Sequence, residues 1–306
     1  MRAELSRKLC ARAGDPNMVF LTGDLGFMAL EPLRDVMGDR FINAGVAEQN
    51  MVAVAAAIAL EGFDVWVYTI APFCYARALE HVRNDICLHR APVKLIGNGG
   101  GYGYGAMGPT HHALEDYGVL LTLPGMRVFV PAFERDIAPV VERAASLVEQ
   151  PSYLRLGVDE LPKDVQAPDY APWRRLLCGE GPVMIVAGPL AGSCYAALRE
   201  IPAAKRAELW VVTELPLESN DFPAALREAL VAKRRLCVVE EHVAHGGLGA
   251  CLSQWILAEG IALAGYRHLG ALGYPSGLYG SQSFHRKEVG LDVDSIQRAL
   301  QDLLTA

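Results

Sequence analysis

Apolar residues in the first half of the chain come in short runs, separated by longer segments in which they recur every three or four positions. The runs at 18–21, 64–68, 93–96, 127–130 and 152–156 predict strands, and the segments at 4–13, 47–61, 75–88 and 137–148 predict helices. The helix at 47–61 is alanine-rich and is closed by Gly62. Strands alternating with helices in this way predict an α/β domain on a parallel sheet.

Between 159 and 182 the text changes to Pro, Lys, Asp and Gly with Trp173 interleaved, which predicts a crossing linker at 161–181. The alternation then resumes: strand 183–187, helix 192–200, strand 208–212, helix 222–233, strand 236–239, a glycine-rich turn at 245–249, a helix to 259 and a last helix at 293–304. No short repeat and no low-complexity tract interrupts it. The expected architecture is two doubly wound α/β domains, 1–160 and 182–306, each a mostly parallel sheet flanked by helices.

Composition narrows the classes. With 306 residues, 52% of them hydrophobic, the chain can fill two cores and is neither disordered nor disulfide-stapled. A net charge of −7 without like-charge blocks makes a nucleic-acid backbone an unexpected partner. The seven cysteines are scattered and form no CxxC pair, so a reduced, cytoplasmic setting is expected. The amino terminus is polar, and the longest apolar run, 51–60, is too short for a bilayer; a soluble chain with no membrane partner is expected.

Candidate chemistry concentrates in three places. In Asn43-Ala44-Gly45-Val46-Ala47-Glu48-Gln49-Asn50-Met51, a carboxylate stands at the mouth of an apolar helix. Gly45 as N-cap with Glu48 three residues on would be a capping arrangement, and an acid in a first turn also suits the helix dipole; a functional acid is the competing reading. The glycine-rich run 97–105 follows a predicted strand, where backbones of open α/β sheets approach ligands, or else is a mobile surface loop. It matches neither GxGxxG in its βα setting nor the P-loop. His111, His112 and Glu115 have HxxxE spacing, a weak metal signal; histidine serving polar contacts in a cleft is the expectation, with no metal ligated by this chain.

Together these segments resemble a known family. NAGVAEQNM, APFxxxRAxE (71–80), GxxGPTHHALED (105–116), YLRLG (153–157), VVEEHVAHGGLG (238–249) and YGSQSFHRKEVGLD (279–292) stand in the order and spacing of transketolase-like thiamine-diphosphate enzymes. The resemblance implies a pyrimidine-binding domain followed by the carboxy-terminal domain of a split transketolase. No GDG with a downstream Asn pair is legible, so the diphosphate-binding subunit with its Mg2+ ligands is expected as a separate partner in an α2β2 assembly. Half an active site is expected here.

The resemblance also implies roles. The glutamate matching Glu48 bonds N1′ of the aminopyrimidine and promotes removal of the thiazolium proton. Phe73 matches the ring that stacks on the pyrimidine, with Tyr75 a second wall and Asp24 a further cofactor contact. His111 matches the histidine that reaches cofactor and substrate oxygens, and Arg155 the arginine that grips a sugar phosphate. Core packing, loop anchoring and a structural ion pair are the structural alternatives for Phe73, His111 and Arg155. Met28-Ala29 stands where classical members have Ser-Asn, a departure that bears on phosphate recognition. The implied activity is transfer of a two-carbon ketol unit from a ketose to an aldehyde. The β chain of a 2-oxo-acid dehydrogenase, a deoxyxylulose-phosphate synthase and a non-catalytic scaffold are the alternatives.

Overall fold

The structure, a computed structural model, describes residues 1–217 and 222–305. In chain order the strands among the described residues are β1 Met18–Thr22, β2 Phe41–Asn43, β3 Asp64–Ile70, β4 Lys94–Asn98, β5 Arg127–Phe129, β6 Ser152–Leu156, β7 Trp173–Leu177, β8 Val183–Ala187, β9 Glu208–Val212, β10 Glu214–Leu215, β11 Arg235–Val239 and β12 Gly265–Leu269. They form a seven-stranded sheet, β10-β5-β6-β4-β3-β1-β2, and a five-stranded sheet, β12-β11-β8-β9-β7. Every pairing among these strands is parallel except β10 with β5 and β7 with β9, so the expected mostly parallel α/β architecture is the observed one.

Parallel sheets bury both faces, which is why β1, β6, β8 and β9 are buried at every position instead of alternating. One face of the first sheet is covered by helices Arg2–Arg12 and Ile137–Ala145 through Leu5, Leu9, Val140 and Val141, the other by helix Glu48–Leu60 through Met51, Val52 and Ala55. Register aligns the carboxyl ends of the central strands: Thr22 lies beside Asn43 and Tyr68, and Asn98 beside Ile70 and Leu156. Loops leaving these ends therefore share one edge of the sheet.

Two expectations need correction. The segment 161–181 is no plain linker: it contains β7, the antiparallel edge of the second sheet, with Trp173 buried and its ring tilted against Phe222 at 4.6 Å. In the same strand Arg174 grips Asp136 of the first domain through two bonds of 2.7 and 2.6 Å. Further on, β10 crosses back to complete the first sheet, so the boundary at 160/182 does not divide the molecule cleanly. The helix expected at 75–88 is instead three short pieces, Ala71–Tyr75, Leu79–His81 and a π-turn Val82–Cys87, with Arg77 in the turn between the first two.

Candidate active site

Glu48 opens helix Glu48–Leu60 directly after the loop that leaves β2. That loop is braced by Asn43, whose Oδ1 accepts from the backbone N–H of Asp24 (3.0 Å) and Gly45 (3.0 Å) and whose Nδ2 donates to the Asp24 carboxylate (2.9 Å). The capping arrangement expected of Gly45 and Glu48 is absent. Ala47 is the N-cap, no side chain caps the helix, and Glu48 is its first residue. The Glu48 side chain is only 2% exposed, and its Oε2 accepts from Arg77 Nη1 at 2.7 Å. Burying a carboxylate is costly without a partner, and here one cation supplies it.

Arg77 also joins Glu48 to an aromatic. Its guanidinium carbon lies 3.9 Å from the centroid of the half-buried Phe73 ring. His111 meets the same ring edge-on, at 5.3 Å and 66°, while its Nδ1 pairs with Thr110 Oγ1 at 2.9 Å. Tyr104 adds a tilted ring 5.8 Å from His111. Glu48, Phe73, Arg77 and His111 thus form one cluster, from helix starts and turns at the carboxyl edge of the first sheet. The conjunction of Glu48, Phe73 and His111 was legible in the sequence; Arg77 stood inside a quoted motif with no role assigned to it.

The glycine run holds the histidine in place and is no free surface loop. A Cβ on Gly100 would enter the Arg155 guanidinium, and one on Gly101, whose φ is +66°, would strike Glu241. Gly101 and Ala113 exchange backbone hydrogen bonds of 2.9 and 3.0 Å, tying the run to the 105–116 segment.

Other expected residues lie elsewhere. Tyr75 is a core side chain, not a second wall: it is buried and donates its hydroxyl to Glu115 at 2.9 Å. Burial, then the Glu115 charge, pushes its phenol far above the ordinary value. Arg155 is buried in β6 and does not present its fork to solvent. Its Nε bonds Asp116 at 2.9 Å, and its Nη2 bonds the carbonyls of Ala113 (2.8 Å) and Glu241 (2.9 Å). Burial opposes that charge most strongly, but Asp116 together with Tyr117, Tyr153 and Glu241 outweighs it and raises the guanidinium pKa. Its placement is that of a brace, because its Nε and Nη2 donors are engaged by the fold. His112 is likewise interior: its Nε2 donates to the Gly105 carbonyl (2.8 Å), and its Nδ1 meets the Tyr274 hydroxyl (2.9 Å). Asp24 is exposed at φ +55° and engaged by Asn43. Met28 is 94% exposed at φ +63°.

The motif 238–249 is architectural. Glu240, fully buried, accepts from the backbone N–H of Leu248 (2.6 Å) and Gly249 (2.9 Å), from His268 (2.8 Å) and from the Tyr117 hydroxyl. Burial pushes its pKa up, but these donors hold it below the ordinary carboxylate value. Glu241 is paired with Arg286 at 2.7 Å and receives Gln282 and the Tyr102 N–H.

Comparison with known proteins agrees with this geometry. The model of the transketolase pyrimidine-binding domain matches residues 8–163. One subunit of the apulose-4-phosphate transketolase of Phocaeicola vulgatus is 34% identical over 77% of this chain and 76% of its own length. The subunit of the same name from Actinobacillus succinogenes is 31% identical over 84% of this chain and 83% of its own. A solved split-gene transketolase, described as an inactive β4 tetramer, superposes with a TM-score of 0.82 and 26% identity over 99% of this chain and 97% of that one. The chain belongs to the transketolase family and is homologous to the β-type subunits of split transketolases.

Proposed function

We propose that this chain is the pyrimidine-binding subunit of a thiamine-diphosphate-dependent split transketolase that moves a two-carbon ketol unit from a ketose to an aldehyde. One observation carries the reading: a carboxylate 2% exposed, next to a half-buried aromatic ring and a histidine, at the carboxyl edge of a parallel sheet. The residues fit an aminopyrimidine. A single flat guanidinium already stacks on Phe73 and hydrogen-bonds Glu48 at once, so one flat ring with a polar edge reaches both.

When bound, the cofactor would supply the electron sink. Glu48 holds a proton at the pyrimidine N1′, Phe73 orients the ring, and His111 offers an imidazole to substrate oxygens. Asp24, through Asn43, keeps the Glu48 loop in register with its neighbour. The sequence carries no legible GDG with a downstream Asn pair, so we assign the Mg2+ and diphosphate ligands to a partner subunit. Support for that partner comes from the rim beside Glu48, where Phe27 (70%), Met28 (94%) and Val46 (77%) are exposed apolar side chains on two loops joined by the Asp24–Asn43 bonds. The names of the two relatives include a sugar phosphate, which favours a phosphorylated substrate. With Arg155 spent on the fold, the phosphate would be held mainly by the partner.

The test is reconstitution. Mixed with a GDG-bearing diphosphate-binding subunit, the chain should co-elute with it as an α2β2 assembly and support ketol transfer that requires thiamine diphosphate. Transfer by this chain alone, or none by any such mixture, would overturn the assignment.

A further inference from the structure

We infer that Arg77 is a built-in stand-in for the cofactor's pyrimidine, holding the site closed on itself until the cofactor displaces it. This rests on the proposed thiamine-diphosphate reading and adds a residue to it. The Arg77 guanidinium is planar, stacks 3.9 Å from the Phe73 centroid and donates to Glu48 at 2.7 Å. Those are the two contacts an aminopyrimidine would make there, a π-face on Phe73 and a polar edge on Glu48. A pyrimidine that takes this same face of Phe73 and this same edge of Glu48 can bind only once Arg77 leaves.

Its surroundings suit that task. Glu48 is 2% exposed, whereas the Arg77 side chain is 40% exposed, so the carboxylate is fixed and the cation has a path to solvent. Arg77 lies in the turn between the short helices Ala71–Tyr75 and Leu79–His81, outside any regular element that would rigidify it. Empty, the site would leave a buried carboxylate without a counter-charge, a costly state that Arg77 prevents. A guanidinium is also weakly hydrated and stacks well, which a lysine ammonium does not reproduce.

The consequence is a displacement cost that lowers apparent cofactor affinity. In the chain reassembled with its diphosphate-binding partner, thiamine diphosphate should bind Arg77→Ala about tenfold more tightly than wild type, the scale of one lost charge-assisted hydrogen bond. Arg77→Gln, which keeps a flat donor without the charge, should fall between them. Without ligand, full-length Arg77→Ala should melt below wild type, and the double variant Glu48→Gln/Arg77→Ala should recover the loss, because no bare carboxylate remains. Added cofactor should raise the melting temperature of Arg77→Ala more than that of wild type. Unchanged or weaker binding by both Arg77 variants would overturn the stand-in role and make Arg77 an ordinary cofactor contact. Failure of wild type and variants alike to bind thiamine diphosphate would instead bring down the cofactor reading, and this inference with it.

Discussion

Two regions of this molecule are built from the same residue types and do opposite things. At the carboxyl edge of the first sheet, Glu48, Arg77, Phe73 and His111 form a cluster with one hidden carboxylate, one half-exposed cation and two half-buried rings. At the junction between the sheets, Asp116, Arg155, Glu240, Glu241 and Arg286 are all buried and bonded from several sides. Both regions draw on the motifs that carry the family resemblance. What separates them is access: the junction buries its charged groups and bonds them chiefly to one another, although Asp116 Oδ1 and Arg286 Nε find no partner, whereas the edge keeps an aromatic ring and a removable cation for something else. A shared motif therefore marks architecture as readily as chemistry, and burial with hydrogen-bond partners decides which.

The sharpest break in this comparison is Glu48→Gln. In the reconstituted pair it should lower ketol transfer roughly 10²–10⁴-fold, the range for loss of a positioned acid–base group. Its stability should move by no more than about 1 kcal/mol, because the lost ion pair has a half-exposed partner. Steady-state rates and urea melts of one preparation give both numbers. Normal turnover by the amide would return Glu48 to the architectural class.

Arg155→Ala should show the reverse pattern. It leaves Asp116 in the core with the Tyr153 hydroxyl as its remaining partner, and breaking a buried pair of this kind costs roughly 3–5 kcal/mol. Urea denaturation of the purified chain measures it. A variant as stable as wild type, with a raised KM for phosphorylated but not for free ketoses, would move Arg155 from the junction to the site.

Phe73→Leu is a smaller change. The apolar volume is nearly kept while the ring face is lost, so cofactor binding by the complex should weaken by about 0.5–1.5 kcal/mol, the usual worth of an aromatic pair beyond its area. Calorimetric titration checks it; equal affinity would make Phe73 packing alone.

The parts legible in the sequence and the parts that were not follow a physical line. A buried central strand such as Val183–Ala187 is a continuous apolar run with unambiguous ends. The edge strands hide: Phe41–Asn43 has three residues, Gly265–Leu269 is half solvated, and Trp173–Leu177 carries two arginines, one of them buried against Asp136. Charge normally argues against a buried strand, and only the tertiary partner reverses that. The same limit applied in the site. Glu48, Phe73 and His111 stand out by type and motif, but that Arg155 faces Asp116 and Tyr75 faces Glu115 depends on residues about 40 positions away in sequence.

The smallest expected effect probes the junction through pH. His112 is interior, and burial lowers its pKa below the ordinary 6.5, with the Gly105 carbonyl working the other way. Its charged form is therefore disfavoured in the folded chain relative to the unfolded one. Above pH 6.5 this contribution to stability is complete; as pH falls below 6.5 toward the folded value the unfolded state takes up the proton first, and stability declines. The depressed carboxylates Glu240 and Glu241 act in the same direction but lower, below their ordinary 4.5, so the two steps are separable. His112→Gln keeps a donor for the Gly105 carbonyl and an acceptor for the Tyr274 hydroxyl without a titrating group. Melting temperatures between pH 7.5 and 5.5 should fall for wild type and fall less for this variant, while both drop together below pH 4.5. Parallel curves throughout would show that the ring cluster around His112 takes up its proton at no cost to the fold, and that the junction is less closed than its hydrogen bonds imply.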